Sequence, residues 1–395
     1  MKVKVLLVVA MVAVLALIAA QCGAAPAPET ITVVETVVVV ETVEVEVEGE
    51  PQVVEKEVVK EVEVEVVVTA TPEAMAEAED TGPIPLDFRL NWTLYGEHAP
   101  FFVGVDKGFY LDEGLDVNVM EGSGSSTTVK LIGNGTNIIG YADSGTMMQG
   151  VTRGVPVKAV AVLLQTSPMS FIFKADKPIK TMEELKGKSI AITAGDASLA
   201  QLSALLSKHG MTEEDIQLVV VANPAGKETA ILEDQADTFM GYYIDQPMRM
   251  EKNTGVDLDW TTTQDIGGVT TVSSAIIVSD RTIDEDPELV EKFVRATQRA
   301  VQYSIDNPEE AAEIFAKHAA DFGFDKELSL AEILGAQELL WTENSAGNPV
   351  GWSAVEDWQA SQDLLQEYAE LKPEEDLNVY YTNEFISEPP YEPAE

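Results

Sequence analysis

The side chains best suited to recognising a small molecule gather where apolar, strand-like runs give way to turns. Trp92, Tyr95 and His98 follow the run Phe88 to Trp92. Aromatic rings there can stack on a flat ligand, each pair contributing about 0.5–1.5 kcal/mol beyond simple burial, and the His98 imidazole can donate or accept a hydrogen bond. A second group, Gly122-Ser123-Gly124-Ser125-Ser126-Thr127-Thr128, opens a helical pattern after the strand-like Leu115 to Met120. Unpaired N–H groups at a helix start hold anionic or strongly polar groups, and the hydroxyls of Ser123, Ser125 and Ser126 can equally fix a neutral heterocycle. Gly195-Asp196-Ala197-Ser198 mirrors this loop, and Tyr242-Tyr243-Ile244-Asp245 closes another strand-like run. Each group also has an ordinary structural use. Trp92 can be core, His98 a helix cap, the Ser/Thr run a plain N-cap, and Asp245 the N-cap of a helix beginning near Pro247.

Catalytic constellations are missing. His98, His209 and His318 lie far apart without metal-ligand spacing, and Gly-x-Ser-x-Gly does not occur. Pro224-Ala225-Gly226-Lys227-Glu228-Thr229 is a poor phosphate loop: the first glycine is absent, and Glu228 stands where Ser or Thr would bind magnesium. The residues therefore predict binding rather than catalysis, with no metal and no cofactor. A net charge of −43 argues against nucleic acid and against docking on an anionic membrane surface. No motif loop supplies a basic side chain, which favours a neutral or cationic ring over a sulfonate or phosphate, although helix N-termini can hold an anion unaided.

These loops need a scaffold, and the pattern from Pro83 onward supplies one. Strand-like and helix-like segments alternate, the signature of α/β layering. Leu86 to Thr128 reads as strand–helix–strand, followed by strands at Ile138 to Ala142, Val157 to Leu164 and Ser170 to Lys174. Thr181-Met182-Glu183-Glu184 is a capping box opening a short helix. Strands at Lys188 to Thr193, Ile216 to Ala222, Thr238 to Tyr243, Asp257 to Thr262 and Val272 to Ser279 follow, with an amphipathic helix at Leu199 to Lys208. Asp286-Pro287 and Asn307-Pro308 each predict an N-cap with proline at the first helical position. Further helices are expected through Leu330 to Trp341 and Val355 to Ala369.

The order Asn91-Trp92, His98, Lys107-Gly108-Phe109-Tyr110 and Glu113-Gly114-Leu115-Asp116-Val117 resembles the opening of the periplasmic-type substrate-binding proteins of ABC importers. The branch is the one containing thiamine-pyrimidine-precursor, riboflavin and alkanesulfonate binders. Asn348-Pro349-Val350-Gly351-Trp352, Trp358 and Thr382-Asn383-Glu384-Phe385 resemble that family's closing segments. The resemblance implies a two-lobed, type II-like periplasmic-binding-protein fold with its cleft between the lobes. Residues 83–173 and 268–395 would form lobe one and 174–267 lobe two, with crossings near Lys174 and Gly267. It adds Asn91, Asp143 and Ser144 to the candidate ligand contacts. It gives Asp245 the role of accepting from an exocyclic amine. A thiamine pyrimidine precursor or flavin is then the expected ligand, with an alkanesulfonate as the alternative. The expected partners are an importer permease and its ATPase, around a monomeric binding subunit. A relative that makes the thiamine pyrimidine carries a cysteine-rich motif on a similar fold. Gly140-Tyr141-Ala142-Asp143-Ser144-Gly145 here has no cysteine, which speaks against an enzyme.

The N-terminal residues form a leader. Lys2 and Lys4 precede an apolar run from Val5 to Ala20, as in a secretory signal. Cys22, the one cysteine, resembles the lipidated residue of a bacterial lipoprotein, although Gln21 departs from the usual lipobox. Cleavage among Ala19 to Ala27 without lipidation is the alternative. Both place the protein outside the cytoplasmic membrane. Glu29 to Asp80 alternates Val with Glu and is expected as a solvated spacer whose like charges favour extension. A self-paired stalk is the other reading, because Val37 to Val40 and Val66 to Val68 are unusually apolar for a linker.

Overall fold

The computed structural model describes residues 29–47, 50–68, 82–193 and 196–393. Cys22 and the signal lie outside them. Two compact units divide the chain at Thr81/Gly82. In the first unit, β1 (Glu29–Val47) and β2 (Glu50–Val68) pair antiparallel, from Glu29 with Val68 to Val47 with Glu50. These two strands of the Val/Glu region are thus paired with each other.

The second unit holds two five-stranded mixed sheets flanked by helices. Its strands are β3 (Ile84–Arg89), β4 (Leu115–Met120), β5 (Ile139–Asp143), β6 (Val157–Val162), β7 (Met169–Lys174), β8 (Ser189–Thr193), β9 (Gln217–Val221), β10 (Thr238–Tyr242), β11 (Leu258–Thr262) and β12 (Ser274–Ser279). The first sheet has the order β4-β3-β5-β12-β6, with β12 antiparallel to both neighbours; the second has the order β11-β7-β10-β8-β9. β7 therefore belongs to the second sheet, so the first crossing comes before Met169 and not near Lys174. The run Met-Ser-Phe-Ile-Phe-Lys announces a buried strand but carries no information about which neighbour it pairs with. The return crossing follows the helix Thr263–Gly267 and leads into β12.

Burial follows position in the sheet. β5, β10 and β12 are buried along their whole length, as strands covered on both faces must be, whereas edge strand β4 begins with buried and exposed residues in alternation. Phe88 of β3 packs between Phe101 and Phe293, with ring centroids 4.7 and 4.9 Å away. The C-terminal segment closes on the first sheet through bridges pairing Ala159 with Tyr381 and Val162 with Gly351.

The helix boundaries have local causes. Thr181 and Glu184 form the expected capping box, and Asp286 accepts from the Leu289 N–H at the start of Pro287–Asp306. Asn307 departs from expectation: its amide turns back to donate to the Tyr303 carbonyl and makes no side-chain cap for Pro308–His318. The helix expected from Leu330 runs instead over Lys326–Gln337, begun by an Asp325 cap.

Candidate ligand cleft

The C-terminal ends of β3, β8 and β10 face one another across the two sheets, the place where open α/β sheets gather ligand-binding loops. They enclose a narrow cavity of about 40 Å³ walled by Asn91, Trp92, Tyr95 and Ser125 from the first lobe and by Asp196, Lys227, Tyr242 and Asp245 from the second. Glu97, Met169, Ala197, Gly241 and Gln246 complete the wall. A space of this size holds a few waters, so a planar ring enters only if the walls part.

The first-lobe wall is held by a relay. The His98 Nδ1 accepts from the Tyr95 N–H at 3.1 Å, so Nε2 carries the proton and donates to Asn91 Oδ1 at 2.8 Å. The Asn91 amide then donates to Glu97 Oε1 at 3.4 Å. His98 is fully buried behind Asn91 and does not itself line the cavity. Gly96 is required here because Glu332, from the helix Lys326–Gln337, presses against the place a Cβ would take and accepts from the Gly96 N–H at 2.6 Å.

Acidic groups crowd the cavity. Burial, reinforced by the charge of Glu97, raises the Asp245 carboxyl well above the usual range. Burial, then the charge of Asp245, does the same to Glu332. Asp143 is raised to about 6 by burial, against two opposing hydrogen bonds from Thr146. Burial and the charge of Glu228 push the Tyr95 phenol up. Several buried polar atoms on or beside the wall have no protein partner: Trp92 Nε1, Glu97 Oε2, Gln246 Oε1, Asp143 Oδ2, Glu332 Oε1 and Ser198 Oγ. Buried polar groups are rarely left this way in such number at one place.

Several expected contacts have structural partners of their own. Asp143 caps the helix Ser144–Val151, and its backbone N–H donates to Ser125 Oγ. Ser144 donates to the Ser273 carbonyl. The Ser198 N–H is bound by Asp196 Oδ1. Ser123 is exposed, and Ser126 lines a wider outer groove that meets the cleft at Asp196. Tyr243 stacks on Trp260 with centroids 6.0 Å apart, while Tyr242 points its hydroxyl at Ser273 and Ser274. Asp245 is both a wall residue and the N-cap of the helix Gln246–Thr254, accepting from the Gln246 N–H. Among the described residues no three His, Cys, Asp or Glu side chains are grouped to hold a metal ion.

The expectation that no basic side chain enters the cleft is corrected by Lys227. It sits on the helix Pro224–Leu232, capped by Asn223 and built from the very segment that makes a poor phosphate loop. Its ammonium is buried, 2.5 Å from Asp196 Oδ2 and 2.9 Å from the Met240 carbonyl, and lies over the Trp92 ring 4.7 Å from its centroid. Arg249 approaches the rim, pairing with Glu228 and lying over Tyr95. Helical spacing alone could not reveal that this one lysine points inward.

Known proteins resemble this chain in sequence and in fold. The riboflavin-binding protein RibY of Chloroflexus aurantiacus is 26% identical over 330 residues, covering 80% of this chain and 92% of the relative. A 4-amino-5-hydroxymethyl-2-methylpyrimidine phosphate synthase of Candida albicans is 29% identical over 238 residues, covering 57% of this chain and 69% of the relative. In three dimensions, the alkanesulfonate-binding protein SsuA of Xanthomonas axonopodis bound to MOPS matches with a TM-score of 0.58 at 14% identity, over 76% of this chain and 100% of that one. That likeness establishes the periplasmic-binding-protein fold. The family model described as NMT1/THI5 like matches residues 96–311, which take in Gly96 to His98, the serine-rich loop, the whole second sheet and the return through β12. The chain belongs to the NMT1/THI5-like family.

Proposed function

We propose that this protein is the extracytoplasmic substrate-binding subunit of an ABC importer, closing its two lobes on a small neutral heteroaromatic of aminopyrimidine or flavin type. The observation that carries the reading is the wall itself. One indole face is offered by the first lobe, and buried acceptors without protein partners, Glu97 Oε2 and Gln246 Oε1, stand around it. Such a wall suits a flat ring with N–H groups on its edge. RibY and the pyrimidine synthase, whose names speak of rings of this kind, support the same class. Closure and affinity are linked, since a ligand touching both lobes stabilises the closed state by its differential affinity for it.

The lipid anchor at Cys22, the monomeric state and the permease partner belong to this proposal. A thermal-shift panel of aminopyrimidine, riboflavin, taurine and nitrate tests it, because a specific ligand raises apparent stability by mass action. A shift with taurine alone would replace the ring by a sulfonate. The synthase relative keeps a second reading in view, and product formation in a single-turnover assay with pyridoxal phosphate and iron would overturn the binding role.

A further inference from the structure

Resting on that reading, we infer that Lys227 sets the ligand's charge class: the bound ring lies between the Trp92 indole and the Lys227 ammonium, so the cleft selects an uncharged ring and rejects a cationic one. An ammonium has three N–H donors. Here Asp196 Oδ2 and the Met240 carbonyl take two, and the third side faces the Trp92 ring. What Lys227 offers the cleft is therefore its positive charge and its remaining N–H, turned toward an aromatic face. Phe239 lies on another side of the same ammonium, its centroid 5.8 Å away.

The spacing defines what happens on binding. Nζ lies 4.7 Å from the Trp92 centroid, whereas a ring sandwiched between indole and ammonium needs two contacts that together span about 7 Å. Asp196 and Met240 hold Lys227 to the second lobe, and Trp92 belongs to the first. A small parting of the lobes thus opens the slot without breaking the Lys227–Asp196 pair. In the filled slot the ring takes the indole's place against the ammonium, a contact open to an uncharged ring and repulsive for a pyridinium- or thiazolium-like one. Glu97 and Asp245 then meet N–H groups on the ring's edge. The lobe-two cation reads the face, and the carboxyl groups read the edge.

The test compares 4-amino-5-hydroxymethyl-2-methylpyrimidine with its ring-N-methylated cation, by Trp fluorescence titration of the wild type, Lys227→Met and Lys227→Arg. Melting curves and a Lys227→Met/Asp196→Asn double variant control for the carboxylate stranded by the single change. The wild type and Lys227→Arg should prefer the neutral ring at least tenfold, and both methionine variants should bring the ratio close to one. An unchanged ratio in folded methionine variants would overturn the role of Lys227 while leaving the heteroaromatic reading intact. Binding of neither probe, nor of riboflavin, to the wild type would overturn both.

Discussion

The Tyr95 hydroxyl donates to Glu228 Oε1 at 3.0 Å, joining the two lobes across the mouth of the cleft. Arg249 pairs with the same carboxylate and lies over the Tyr95 ring, 4.5 Å from its centroid. One aromatic from the first lobe is thus clasped by an ion pair of the second, directly above the cavity.

Removing that hydroxyl should loosen the closed state. Tyr95→Phe deletes one charge-assisted hydrogen bond, a contribution of about 1.5–3 kcal/mol, and leaves the ring for Arg249. The ligand-free protein should show a larger radius of gyration by small-angle scattering, with the difference lost on saturation by ligand. Identical scattering of the two free proteins would show that the clasp does not hold the lobes together.

A second test concerns the frame of the first lobe. Arg295 grips buried Glu113 through Nε and Nη2, both at 2.7 Å, tying the turn before β4 to the helix Pro287–Asp306. Breaking a buried pair by removing one partner costs about 3–5 kcal/mol. Arg295→Met should therefore lower the melting temperature by several degrees, and Glu113→Leu added to it should recover much of the loss. A fully additive double variant would show the two residues to be energetically independent.

Stability should respond to pH through Asp143. Its folded carboxyl, held at about 6 by burial, lies above the ordinary value near 3.9. Below about pH 4 both states keep the proton; between about pH 4 and 6 the unfolded chain releases it first, so stability falls as pH rises through that window. The loss amounts to about 2–3 kcal/mol. Asp143→Asn keeps an acceptor for the Thr146 N–H and should flatten the slope of denaturant-derived stability over this range. An unaltered slope would assign the pH response to other groups.

For the anchor, Cys22→Ser should release the protein from the membrane fraction with ligand binding unchanged. Fatty-acid labelling of the wild type decides the matter, and a protein that takes up no label is not lipidated.

Much of the framework was legible in the chain because local chemistry dictates it. Gly108 and Gly114 both adopt positive φ, +75° in each case, where a side chain would be strained. The Lys-Gly-aromatic and Glu-Gly-Leu signals therefore mark two left-handed turns, with Glu113 placed between them for Arg295. Alternating apolar runs announced the strands, and Asp286-Pro287 and Thr181-x-x-Glu184 announced helix starts, since each depends on neighbours within a few residues. What the sequence could not show was pairing across distance. β7 reads as a strand wherever it lies, and only its partners β10 and β11 assign it to the second sheet. Whether the Val/Glu run is extended or folded back turns on a register that no single strand contains. His98 looks like a ligand contact until its two ring nitrogens are seen to be taken by Tyr95 and Asn91. Lys227 sits in a segment with no recognisable motif, and it enters the cleft because β8, β10 and the first-lobe turn at Trp92 converge around one helix face. Local hydrogen bonds and backbone preferences act over a few residues and leave a mark in sequence. The charge and shape of a cleft are made by residues 135 positions apart, such as Trp92 and Lys227, and only packing brings them together.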